Sequence, residues 1–239
     1  MRSLLFLGVQ DRSILSSIQN MGKQITAIKA QKRNHQRVNV YLDGEFAFGL
    51  SRIVAAWLQV GQELSAEKIA ELKVEDELEF AYQRAIRFIG YRMRSVSEVH
   101  QFLNQQGIDS VVIENVIDRL EKNSLLDDLS FARMWIENRN EFRPRSHRML
   151  AIELKQKGIH SDIISLILEK TASEEALAYS AAKKQVRKYK HLGWQEFRKK
   201  LGSFLARRGF YYSIINPVVD QVWAERDLER HGVDRDLVP

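Results

Sequence analysis

Leu103-Asn104-Gln105-Gln106-Gly107-Ile108, Leu154-Lys155-Gln156-Lys157-Gly158-Ile159 and Leu205-Ala206-Arg207-Arg208-Gly209-Phe210 superpose without a gap, and their glycines recur at intervals of 51 residues. An internal repeat of this length decides the fold before any single element is assigned. The apolar pattern extends the match outward. Val99, Leu150 and Leu201 lie eight residues before the glycine, and Leu103, Leu154 and Leu205 lie four before it. Ile113, Ile164 and Ile215 follow at plus six, then Val116-Ile117, Ile167-Leu168 and Val218-Val219 at plus nine and ten. These offsets describe two amphipathic helices hinged at the glycine. Glycine closes the first helix because it enters the left-handed region without a Cβ penalty. Room for another helix precedes each pair, so the sequence predicts three tandem three-helix repeats over residues 76–123, 124–170 and 171–230. Such units bury their own cores and share little surface, which implies an elongated array able to bend between repeats.

Upstream, the period shortens to two. Val38, Val40 and Leu42 alternate with polar residues, and Asp43-Gly44 separates Val38–Leu42 from Glu45–Gly49 with the spacing of a two-residue hairpin. The basic stretch Lys29, Lys32, Arg33, Arg37 falls at the preceding turn. This small meander needs a packing partner, for which a helix from about Ser51 to Leu58 is expected. A further helix begins at Ser65, a capping residue, and it and its successor are acidic. Residues 23–75 therefore form a small N-terminal module of β-hairpin and helix, after a disordered leader over 1–22; residues 231–239 are a tail. Ser95 with Glu98 and Thr171 with Glu174 have capping-box spacing, and Pro144 fits a first helical turn. Pro217, inside the last helix, implies a kink or a late start there.

Composition narrows the chemistry. Twelve glycines and three prolines in 239 residues suit a mainly α chain with short connections. The chain has no cysteine, which removes disulfides, thiolate metal sites and thiol nucleophiles together and is consistent with the cytoplasm. The run Leu4–Val9 is too short for a membrane span and poor as an export signal. The six histidines are scattered with no H-E-x-x-H, Gly22-Lys23 lacks the rest of a phosphate-binding loop, and no G-x-S-x-G occurs. No catalytic residue, metal or cofactor is expected.

Charge is the informative feature. Thirty-seven Lys and Arg against 31 Asp and Glu give a formal +6, and the excess gathers before the middle helix of each repeat. The first repeat has Arg84, Arg87, Arg92 and Arg94; the second has Arg139, Arg143, Arg145 and Arg148, with Glu141 as the one acid among them. Arg92 and Arg143 share one offset from their glycines, and Arg94 and Arg145 another. The third repeat carries Lys183, Lys184, Arg187, Lys188, Lys190, Arg198, Lys199, Lys200, Arg207 and Arg208, interleaved with Tyr189, Trp194, Tyr211 and Tyr212. A single basic residue is ordinarily a solvated helix face, but recurrence at matched positions makes a stripe suited to a polymer partner. The binding candidates are Arg92, Arg94, Arg143, Arg145, Arg148, Lys183, Lys184, Arg187, Lys188, Lys199, Lys200, Arg207 and Arg208. Trp135 and Trp194 are read as core residues before base-stacking ones.

The segments Ala85-Ile86-Arg87-Phe88-Ile89-Gly90-Tyr91-Arg92-Met93-Arg94-Ser95, Ser124-Leu125-Leu126-Asp127-Asp128 with Phe131-Ala132, Asn138-Arg139, Phe142-Arg143-Pro144-Arg145 and Leu154–Ile159 resemble the RecX family of recombination regulators. The hairpin resembles the N-terminal extension of longer members. The resemblance covers about Ile25 to Glu225. It implies a cytoplasmic, non-enzymatic protein of DNA recombination, repair and the SOS response. Such a protein binds RecA filaments along their groove and inhibits or tunes recombinase, ATPase and coprotease activities. It also implies contact with single- or double-stranded DNA, directly or through RecA; no membrane partner is expected, and the chain is read as a monomer. The family supplies no catalytic residues to carry over, and the candidates above rest on charge. Two other readings stay open: a stand-alone DNA-binding protein with helix-turn-helix-like modules, and a hydrolase or nuclease with an unrecognised site.

Overall fold

The computed structural model describes residues 22–232, with side chains through Leu228. The leader expected from the sequence, apart from Gly22, and nearly all of the expected tail lie outside the described residues. Four short strands open the chain: β1 (Lys23–Ala30), β2 (Arg37–Leu42), β3 (Glu45–Ser51) and β4 (Glu63–Leu64). They form an antiparallel sheet in the order β3-β2-β1-β4. Asp43 and Gly44 both take positive φ, 51° and 91°, as a two-residue turn whose twist matches that of the strands demands. Ile25, Val40, Leu42 and Leu50 form one buried cluster with Leu64 and Leu72.

The helix expected over Ser51–Leu58 is not there. The β2–β3 ladder runs out to Arg37 opposite Ser51, and the Arg52 N–H continues it to the Gln36 carbonyl at 2.8 Å. Only a 3-10 turn, Val54–Trp57, fits before the chain returns to β4. The sheet is covered instead by α1 (Ala66–Gly90), one uninterrupted helix where two were expected, which passes from the β module into the first repeat. Ser65 caps it, its side chain accepting from the Lys68 N–H at 3.2 Å. Arg37 and the Ser51 N–H both bind the Asp76 carboxylate, tying sheet to helix.

Eight more helices complete three repeats among the described residues: α2 (Val96–Gln105) and α3 (Ser110–Lys122) with α1; α4 (Asp128–Phe142), α5 (His147–Gln156) and α6 (Ser161–Glu169); α7 (Glu174–Val186), α8 (Trp194–Arg207) and α9 (Tyr212–Gly232). The fold is mainly α with a small β-sheet ahead of three three-helix repeats, as the sequence predicts. Gly107, Gly158 and Gly209 have positive φ, and the N–H of the residue after each reaches back five residues, as in Ile159 to the Leu154 carbonyl at 3.0 Å. The offsets the sequence marks lie in the repeat cores, Leu150, Leu154, Ile164 and Ile167 in the second and Leu201, Leu205, Ile215, Val218 and Val219 in the third, where Phe131, Ile136 and Phe197 join them.

Two capping expectations change, and one of the two readings of Pro217 falls. Pro144 lies outside α5, two residues before the capping Ser146. Thr171 ends α6, its hydroxyl donating to the Ile167 carbonyl, and Ser173 caps α7. Pro217 sits inside α9, which starts before it at Tyr212, so the late start is excluded.

The chain divides into two compact units. One runs to Tyr91 and includes Leu103–Leu120; the other comprises Arg92–Phe102 and everything from Glu121 onward. In the first, Arg119 of α3 binds the buried Glu79 of α1 at 2.8 Å and covers the Tyr82 ring. All thirteen candidate binding residues belong to the second.

Candidate functional site

The second unit contains two junctions between successive repeats, and they are built alike. Ser95 and Ser146 occupy matching positions as caps, accepting from the N–H groups of Glu98 and Met149. Each also meets the residue that precedes the next repeat's glycine: the Ser95 hydroxyl donates to the Lys157 carbonyl at 2.6 Å, and the Ser146 N–H donates to the Arg208 carbonyl at 3.2 Å. An acid from the start of the next repeat satisfies one more free amide of the middle helix. Asp128 accepts from the Val96 N–H at 2.9 Å, and Glu174 from the His147 N–H at 2.7 Å. Close approach follows. A Cβ on Gly158 would overlap the Ser97 side chain and one on Gly209 would overlap Met149 and Ser146, whereas Gly107 faces open space.

These junctions hold the arginines found in sequence, in two different states. At the first, Arg92 grips Glu98 with both terminal nitrogens, at 3.1 and 2.9 Å, and Lys157 reaches the same carboxylate at 2.7 Å. Burial pushes the Glu98 carboxyl up, but the two cations together outweigh it and hold it at about 2. Burial also lowers the Arg94 guanidinium, with Arg92 beside it contributing. At the second junction, the buried Glu153 accepts from Trp135 Nε1 at 2.8 Å and Arg139 Nε at 2.7 Å, and pairs with Arg145 Nη1 at 2.5 Å. Arg208 lies over the Phe204 ring and donates to the Pro144 carbonyl. Burial lowers its pKa, and Arg145, Arg143 and Arg139 push it the same way. Arg143 is exposed, and Arg148 sits over the Tyr211 ring, 5.5 Å from its centre. The Glu153 carboxylate thus holds Arg139 and Arg145, and Arg208 lies within the field of Arg139, Arg143, Arg145 and that carboxylate.

The third repeat's cations divide similarly. Lys183 pairs with Glu225 at 3.1 Å, Lys184 donates to the Glu141 carbonyl, and Lys200 pairs with Glu196 at 2.7 Å. Arg187 and Lys188, on a 3-10 turn, are exposed, as are Lys199 and Arg207. Lys183, Lys184, Arg187 and Lys190 line an open concavity of ≈ 820 Å³ with Tyr179. Lys199 lines another, of ≈ 480 Å³, with Arg198 and Tyr212. Among the described residues Arg143, Arg148, Arg187, Lys188, Lys199 and Arg207 make no ion pair. Trp135 packs on Phe131, and Trp194 meets Trp223 edge-on at 5.2 Å, so both are packing residues.

Sequence reasoning missed Glu98, Lys157 and Glu153, the groups that separate occupied cations from available ones. Glu153 had a signal: its offset is held by Phe102 and Phe204 in the other repeats, so an acid stands where the register calls for an aromatic.

Tandem three-helix repeats clamped by reciprocal caps, carrying outward-facing cations and, among the described residues, no cluster able to hold a metal, define a repeat scaffold that presents a surface. No described helix is long and apolar enough to cross a membrane. Family models agree in order along the chain: the regulatory protein RecX N-terminal domain matches residues 23–65, and the first, second and third RecX three-helix domains match 81–120, 127–168 and 173–219. The regulatory protein RecX of Bacillus subtilis is 32% identical over 207 residues, covering 85% of this chain and 78% of the relative. That of Lactobacillus johnsonii is 34% identical over 211 residues, covering 86% and 75%. A crystal structure of regulatory protein RecX superposes with a TM-score of 0.66 at 27% identity, covering 83% of this chain and 99% of that one. The chain belongs to the RecX family of regulatory proteins.

Proposed function

We propose that this chain binds RecA nucleoprotein filaments along their groove and lowers or tunes RecA's recombinase, ATPase and coprotease activities, without catalysing a reaction of its own. The observation that carries the reading is the twice-built junction between repeats, which sets arginines of one repeat against the glycine turn of the next. A surface that recurs in this way suits a partner that itself repeats. Contacts that are weak one by one then add, because the first raises the effective concentration of the others.

The contact residues follow from charge and from what the fold leaves available. Arg143, Arg148, Arg187, Lys188, Lys199 and Arg207 are the leading contacts. Arg92, Arg145, Lys183 and Lys200 contribute less directly, since each already faces a carboxylate. Arg94, Lys184 and Arg208 complete the positive surface. Phosphates of the filament's DNA or acidic RecA surface are the counterparts, and release of condensed counterions makes the phosphate component the steeper in salt. Titration of the chain into RecA on single-stranded DNA tests the reading. ATP hydrolysis and filament length are expected to fall together as the chain saturates the filament; no response of either at saturating chain would refute it.

A further inference from the structure

We infer that the exposed Tyr211–Tyr212 pair, with Arg148 over Tyr211 and Lys199 beside Tyr212, is a stacking site for the bases of an unpaired nucleic-acid strand. The inference deepens the proposed function, since it names the form of nucleic acid that this part of the positive surface takes.

Four aromatic residues are interleaved with the third repeat's cations in sequence, and the structure sorts them. Trp194 is half-buried against Trp223, and Tyr189 accepts from the Gln185 amide at 3.1 Å. Tyr211 and Tyr212 remain 59% and 70% exposed although they adjoin the buried Phe210. Large rings left in water beside a core that could have taken them are candidates for a partner. Their position is fixed by the second junction: seating of Gly209 on Ser146 and Met149 brings the next turn of chain beside α5, where the Arg148 guanidinium lies over Tyr211. A cation over a ring holds its plane without burying it.

Tyr212 continues the surface. It shares the ≈ 480 Å³ concavity between α8 and α9 with Lys199 and Arg198, and Gln195, Ser203 and Asn216 complete its polar lining. Among the described residues no carboxylate lines it, and Glu196 on the same helix is held by Lys200. Charge therefore selects a polyanion, while amide and hydroxyl groups beside the rings offer donors and acceptors to base edges. A protein partner would need apolar anchorage, and the aliphatic residues here, Ile215 and Val219, are themselves buried. Stacked bases in a duplex hide their faces, so flat exposed rings discriminate in favour of an unpaired strand.

The test uses the full chain without RecA, so that its outcome is separate from that of the filament titration. Fluorescence anisotropy compares a labelled oligothymidylate, an abasic strand of equal length and charge, and a duplex. Wild type is expected to bind the oligothymidylate about tenfold more tightly than the abasic strand. Tyr211→Ala with Tyr212→Ala should remove that difference, Tyr211→Phe with Tyr212→Phe should keep it, and circular dichroism should report equal helicity. Equal wild-type affinity for base-bearing and abasic strands would overturn the inference whatever the variants do. So would an alanine pair that keeps its preference for bases, including one that loses only RecA filament binding, which would assign the rings to a protein contact.

Discussion

Glu153 anchors Arg145, one of the binding candidates read from sequence, together with Arg139. Its carboxylate is buried, and Arg139, Arg145 and the Trp135 N–H all converge on it. Removing one member of such a group leaves charge poorly compensated, so Glu153→Ala is expected to cost about 2–3 kcal/mol in chemical denaturation, reduced from the fully buried case because both arginines are partly solvated. Glu98 makes the matching prediction in pH. Its folded carboxyl is held at about 2, below the ordinary 4.5, so its contribution is complete above about pH 5 and is lost as pH falls through that interval. Stability of the wild type should therefore decline between pH 4.5 and 2 more steeply than that of Glu98→Gln. Charge at this scale was legible as a stripe but not as a state. Arg143 and Arg145 look alike in sequence, and which of them is occupied depends on an acid that only the packing of α5 brings near.

At the scale of elements, the glycine register was legible because each repeat's middle helix closes through a left-handed residue, the conformation glycine enters without strain. The seating of two of those glycines on the preceding repeat was not, since sequence shows the turn and not what it leans on. The three positions should therefore respond unequally to alanine. Gly107→Ala carries only the left-handed strain, about 1–2 kcal/mol. Gly209→Ala adds a clash that the flexible Met149 relieves in part. Gly158→Ala, whose Cβ would strike the first turn of α2 at Ser97, should be the most destabilising and should speed hydrogen exchange at Val96 and its neighbours. A cost at Gly158 no larger than at Gly107 would show that the junction contributes little. The elements misread from sequence share a cause. Ser51–Leu58 has helical spacing, but the ladder with β2 takes its first residues; Thr171 has a capping offset, but the end of α6 takes its hydroxyl. Local pattern loses wherever a neighbouring element uses the same backbone group first.

At the scale of the whole chain, the order of repeats was legible in the 51-residue period and the family in motifs such as Phe142-Arg143-Pro144-Arg145 that resemble it, while the proposed partner surface required knowing which cations stay available. The surface is electrostatic, so affinity for DNA-bearing filaments should fall steeply as salt rises from 50 to 200 mM, by roughly tenfold or more if several phosphates are neutralised. The most direct test reverses charges that make no ion pair among the described residues. Arg143→Glu with Arg148→Glu spares Arg145 and its Glu153 partner, so circular dichroism should be unchanged. Affinity of this variant for RecA filaments on single-stranded DNA, measured beside wild type at 0.1 M salt, should drop by about tenfold. Equal affinity of the two proteins, with helicity intact, would contradict the placement of the filament contact at the repeat junctions.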